Sequence, residues 1–110
     1  MNKTKKEPKD DLEYVKHIIQ AIQLVKQYTE NLKKEEFIKN NEKQDAVIRE
    51  LTVIGEASKN INESFKIKNS FIEWKKLAGV KDILVHQYMK IDLDIIWEVI
   101  QYDLGHVDSV

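Results

Sequence analysis

A chain of 110 residues with 42% apolar and 34% charged residues and a formal net charge of −1 is sized for one domain around one hydrophobic core. The near-neutral balance excludes a protein held to nucleic acid or membrane by bulk charge, and the absence of cysteine excludes disulfides and thiolate metal sites. Three glycines and one proline are too few for the turns of a β-rich fold. With abundant Lys, Glu, Ile and Leu they point to an all-α protein. No stretch reaches the length of a membrane span and no signal pattern opens the chain, so a cytoplasmic location is expected.

Residues 1–9 (MNKTKKEPK) read as a flexible N-terminal tail, and residues 10–110 as a single helical domain. Asp10 or Asp11 is placed to cap the first helix. Over residues 11–32, Val15, Ile18, Ile19, Ile22, Val25 and Tyr28 recur in steps of three and four, which is one helical face. Residues 33–44 (KKEEFIKNNEKQ) read as a polar turn with Phe37 and Ile38 tucked inward.

A second long helix is expected from about Asp45, with Val47, Leu51, Ile54, Ser58, Ile61 and Phe65 as its seam. Gly55 interrupts that helix at a cost of roughly 1 kcal/mol relative to Ala, which a close helix–helix approach would offset. Residues 66–70 read as a loop, Phe71, Trp74 and Leu77 as a short amphipathic helix, and residues 76–87 as the third main helix. Asp92 caps a last helix with Ile95, Ile96, Val99, Ile100 and Leu104 inward. The whole predicts an antiparallel four-helix bundle with one extra short helix.

Common enzyme signatures are missing: there is no phosphate-cradling glycine loop, nucleophile elbow or His-Glu-x-x-His pair. His17, His86 and His106 lack ligand spacing, so no metal site and no cofactor are expected. Trp74 and Trp97 read as core or interface anchors rather than base-stacking platforms. Lys33, Lys34, Lys66 and Lys68 read as solvated.

Residues 81–88 (KDILVHQY) stand apart, because a cation, an acid, a histidine and a tyrosine fall within eight positions. On a helix Asp82 and His86 share a face, so the carboxylate can orient the imidazole and hold its tautomer. Lys81 and His86 are five apart, about 140° around the helix. One bound group would therefore need the long lysine stem to reach over, or a second subunit to complete the site. The set suits phosphodiester chemistry: a histidine with an ordinary pKa of about 6.5 moves protons at neutral pH. A cation neutralises charge building on phosphate. In RNA the 2′-OH is an internal nucleophile. Lys75 and Lys76, just upstream, are candidate contacts to the RNA backbone. Such clusters also occur as plain surface and capping residues at helix ends.

The sequence resembles the HEPN superfamily, and within it the HepT-like toxins. Four blocks carry the resemblance in the family's order. They are residues 11–28 (DLEYVKHIIQAIQLVKQY), Phe37 with residues 45–57 (DAVIRELTVIGEA), Trp74 with residues 81–88, and residues 92–104 (DLDIIWEVIQYDL).

The resemblance implies a helical bundle that forms a homodimer, with two copies of an Arg–polar–spacer–His motif facing one cleft that acts as a metal-independent endoribonuclease. His86 would be its general acid and base and Asp82 the polar support. Tyr88 matches the tyrosine that an MntA-like minimal nucleotidyltransferase antitoxin modifies with AMP, which would fill an anion-binding cleft with bulk and negative charge. Where the family has Arg this chain has Lys81, which keeps the charge but loses the planar bidentate fork. That departure leaves a second reading open, a catalytically attenuated module that binds a nucleotide or the antitoxin.

Overall fold

The computed structural model describes residues 8–86 and 93–104, with side chains for 10–80 and 93–101. The described residues form helices and contain no strand: α1 (Pro8–Thr29), α2 (Lys34–Ile38), α3 (Asn41–Asn60), α4 (Glu63–Lys68), α5 (Trp74–His86) and α6 (Leu93–Glu98), which runs on as a π-helical segment, Val99–Leu104. No described helix is long and apolar enough to cross a membrane.

α3 is the central element, packed on α1 and on α5, with the π-helical segment touching both of those neighbours. The predicted rows form the core. Ile18, Ile22 and Val25 of α1 are buried against Val47, Leu51, Ile54, Ala57 and Ser58 of α3 and Ile61 just after it. Leu77 and Val80 of α5 and Ile96, Val99 and Ile100 close the far side. Gly55 is buried within α3. Ile19 is a correction: it is 48% exposed, because it sits one position off the Ile18–Ile22–Val25 row.

Local chemistry sets the boundaries. α1 opens on Pro8, whose missing N–H costs nothing at a first helical position, and carries Asp10 and Asp11 in its first turn. It ends where Asn31 takes a left-handed φ of 59°, a conformation asparagine tolerates better than most residues. Asn40 caps α3 by accepting the Lys43 N–H at 3.0 Å. The helix therefore starts four positions ahead of the expected Asp45.

Residues 33–44 are not a simple turn, since α2 folds there and buries Phe37 against the Trp97 ring at 5.4 Å. Ile38 stays 42% exposed. Gln44 stitches α2 to α3, donating to the carbonyls of Phe37 and Ile38 at 2.9 and 2.8 Å. Lys34 reaches Asp94 of α6 at 2.8 Å. That hydrogen bond and the carboxylate's charge raise the lysine's pKa, although the pair is exposed and weakly stabilising.

The expected loop at 66–70 is half helix, because α4 occupies Glu63–Lys68. The short helix expected over Phe71, Trp74 and Leu77 does not exist separately. Residues 71–73 connect to a single α5 that begins at Trp74, and Phe71 is 62% exposed. Trp74 is buried, donates its indole N–H to the Asn69 carbonyl at 3.1 Å, and meets the Phe65 ring edge-on at 6.1 Å. Asp92, the expected cap of the last helix, lies outside the described residues, and so do residues 1–7 of the expected tail.

Asp11 does not cap its own helix. It is 3% exposed and accepts the backbone N–H of Asn62 at 2.9 Å and its side-chain amide at 3.2 Å. The carboxylate thus satisfies the N-cap of α4 from the far end of the chain and ties α1 to the α3–α4 junction. Asp11→Ala should cost about 1–3 kcal/mol, the range for a buried polar group left without its partner. Urea unfolding would read this as a lower midpoint at unchanged slope, and an unchanged midpoint would mean that water replaces the carboxylate without loss.

Candidate active site on helix α5

α5 is continuous from Trp74 to His86, so the backbone fixes the register of every candidate on it. Lys75, Gly79, Asp82 and His86 follow in steps of four, three and four, which is one row along the helix. Lys75 is exposed and Gly79 half-buried, so this row lies away from the Leu77 and Val80 that enter the core. Lys81 belongs to a different row. It stands seven residues after Trp74 and four after Leu77, both buried, and about 140° around the axis from His86.

The helix therefore brings the positions of Asp82 and His86 together, one turn apart, and separates both from Lys81. The side chains of residues 81–86 lie outside the description, and Tyr88 falls outside the described residues altogether. Among the described residues no group of three or more His, Asp or Glu is arranged to hold a metal ion.

The two candidate backbone-contact lysines differ. Lys76 pairs with Glu73 at 3.0 Å, one turn back. Lys75 instead lines a groove of about 470 Å³ between α4 and α5, together with Glu63, Lys66, Ile67, Ser70, Glu73, Trp74 and Ala78. Lys66 is half-buried there, which corrects its reading as a merely solvated side chain. Nothing in the sequence marks this groove, because α4 leaves no pattern there to read. The exposed His17 meets the Tyr14 ring edge-on at 6.4 Å, far along the chain from α5. His106 lies outside the described residues.

Gly79 carries no signal in the sequence either. A Cβ built there meets no heavy atom within 4 Å among the described residues, so nothing described within this subunit calls for glycine. Gly79→Ala is expected to raise stability by about 0.5–1 kcal/mol by restoring helix propensity. A drop in the urea midpoint would instead place an unseen neighbour against that surface.

The family model described as ribonuclease HepT-like matches residues 18–110. The chain belongs to the HepT-like family. This HepT-like chain is 37% identical over 92 residues to a Thermococcus cleftensis protein named "Probable ribonuclease HepT", covering 84% of each. It is 34% identical over 96 residues to a "Putative RNase" of Caldanaerobacter subterraneus subsp. tengcongensis, covering 87% of this chain and 86% of that one. It is 40% identical over 96 residues to a "Gamma-glutamylcyclotransferase and putative RNase" of Methanocaldococcus jannaschii. That match spans 87% of this chain but 43% of the relative. No solved structure matches.

Proposed function

We propose that this HepT-like chain is the endoribonuclease toxin of a toxin–antitoxin pair. The observation that carries the reading is the unbroken helix α5, whose register sets Asp82 one turn from His86. The relatives' names support an RNA substrate.

In the proposed step the 2′-OH of one nucleotide attacks the adjacent phosphorus. His86 takes its proton, the bond to the 5′-oxygen breaks, and the imidazolium returns a proton to that leaving oxygen. The products are a 2′,3′-cyclic phosphate and a 5′-OH end. Asp82 holds the imidazole tautomer, and Lys81 offsets the charge that builds on the phosphoryl oxygens. Because Lys81 and His86 occupy rows about 140° apart, the reading includes a homodimer in which the partner's cation serves the first subunit's histidine. Within the subunit Gly55 is buried, and half-buried Trp97 packs one side on Phe37. Transfer of AMP to Tyr88 by a minimal nucleotidyltransferase antitoxin would silence the site by occupancy and charge.

Lys81 motivates a second reading, in which the cleft binds a nucleotide or the antitoxin without turnover, because lysine lacks arginine's bidentate fork. RNA cleavage in EDTA by the chain as written and by Lys81→Arg separates the two. Cleavage by both, with 2′,3′-cyclic phosphate ends, is the expected result. Cleavage by Lys81→Arg alone would make this chain the attenuated module. Intact RNA in both lanes would sink the ribonuclease reading.

A further inference from the structure

From the α4–α5 groove and the row it shares with His86, we infer that the groove seats the RNA strand flanking the scissile phosphate, with Lys66 and Lys75 as its phosphate contacts. The inference rests on the ribonuclease reading and extends it to a subsite.

Three observations converge. First, the groove's α5 wall includes Lys75 and Ala78, and Lys75 begins the row that Gly79, Asp82 and His86 continue. His86 stands eleven positions after Lys75 on α5, about 16 Å at ~1.5 Å per residue. That is more than a dinucleotide covers and within reach of a longer strand.

Second, the charges suit a polyanion. Lys66 and Lys75 both line the groove and neither pairs with a carboxylate among the described residues. Glu73, which also lines it, is engaged by Lys76 at 3.0 Å. Glu63 is the remaining groove acid.

Third, half-buried Gly79 stands midway along the row, and its own helix backbone apart, no heavy atom of the described residues lies within 4 Å of where a Cβ would stand. A residue without a side chain lets a sugar–phosphate backbone approach closely between the groove and the His86 end. The neighbouring Ile67 side chain, exposed at the groove rim, offers an apolar contact for a base face. Single-strand recognition uses this pairing of a cationic track with apolar or stacking surface.

The test uses the full chain and two substrates. Binding of a labelled 2′-O-methyl RNA of about twelve nucleotides, which cannot be cleaved through its 2′ position, is followed by anisotropy between about 50 and 200 mM salt. Cleavage of a dinucleotide, too short to reach the groove, is followed in EDTA. Lys66→Ala and Lys75→Ala should each weaken binding about three- to tenfold. Each should also lower the salt slope by about 0.7, the single-strand value for one lost phosphate contact. Gly79→Glu, which adds bulk and negative charge between the groove and the His86 end, should weaken binding further.

Dinucleotide cleavage by the chain as written is the reference for the active site, and Lys16→Ala, whose lysine pairs with Glu13 on α1, should change neither readout. Unaltered affinity and slope in both groove-lysine variants would overturn the inference, as would failure of the chain as written to bind the RNA. A shift in dimer dissociation with RNA binding intact would overturn it in favour of a second copy on this row. Lysine-dependent binding without dinucleotide cleavage would uphold the subsite while the ribonuclease reading fails. Cleavage of the dinucleotide with groove variants silent would do the reverse.

Discussion

His86→Ala is expected to lower the rate of RNA cleavage by at least about 10²–10⁴-fold, the usual contribution of a positioned general acid–base group. The proposed reaction uses the imidazole twice, as base toward the 2′-OH and as acid toward the leaving oxygen, so the upper part of that range is the natural expectation. The fold should survive the change. His86 occupies the row of exposed Lys75 and half-buried Gly79, away from the Leu77 and Val80 that pack the core, and it is the last residue of α5. Melting within a few degrees of the unaltered protein, combined with lost cleavage, is therefore the predicted signature. Asp82→Asn should cost less, because an amide still fills the position but cannot stabilise an imidazolium. A His86→Ala protein that cleaves at the unaltered rate would remove histidine from the mechanism and with it the meaning of the Asp82–His86 spacing.

Phe37→Ala should cost about 3–5 kcal/mol, as expected for a large aromatic deleted from a core. Phe37 is fully buried (0% exposed) and tilts against Trp97 with ring centroids 5.4 Å apart. It is also the buried residue of α2, a helix of five residues. A helix that short has no stability of its own, so this ring and the two Gln44 bonds to the α2 carbonyls hold it in place. Losing the ring leaves a cavity and frees α2, and with it one side of the Lys34–Asp94 contact to α6. Against a typical total of about 5–15 kcal/mol, chemical denaturation should show the midpoint fall by roughly a fifth or more. Ile38→Ala, one position on and 42% exposed, should cost under about 1 kcal/mol. Equal losses in the two variants would mean that α2 is stabilised as a unit rather than through Phe37.

The long helices are legible in the sequence because each must bury one face. Ile18, Ile22 and Val25 and the Val47–Leu51–Ile54–Ser58 row carry a period that no strand can use. What escapes is short or non-local. α2 and α4 span five and six residues, too few for a period to show, and both sit in lysine- and glutamate-rich segments that read as loops. Phe71 reads as core because it is three residues from Trp74. The helix instead begins at Trp74, where the indole N–H and the chain turn at Asn69 fix it. The π-helical turns at Val99–Leu104 leave no residue pattern to read.

The same division applies to the site. The Asp82–His86 spacing needs only helical register and is visible in the sequence. The offset of Lys81 is visible as an angle, although its place in the row of Trp74 and Leu77 requires knowing which face of α5 is buried. The α4–α5 groove depends on residues 63–67 and 70–78 meeting in space, which no local pattern encodes.

The bond between Asp11 and Asn62 spans 51 residues of sequence, in a protein whose helices otherwise depend mainly on local hydrogen bonds. It can close only once α1 has docked along α3, and a contact of that kind is expected to form late in folding. Its contribution should then reside in the rate at which the native state opens rather than the rate at which it forms. A carboxylate near the start of the chain would thus act as a brake on unfolding, and Asp11→Ala should show it as faster release of α1 and faster proteolysis of the native state.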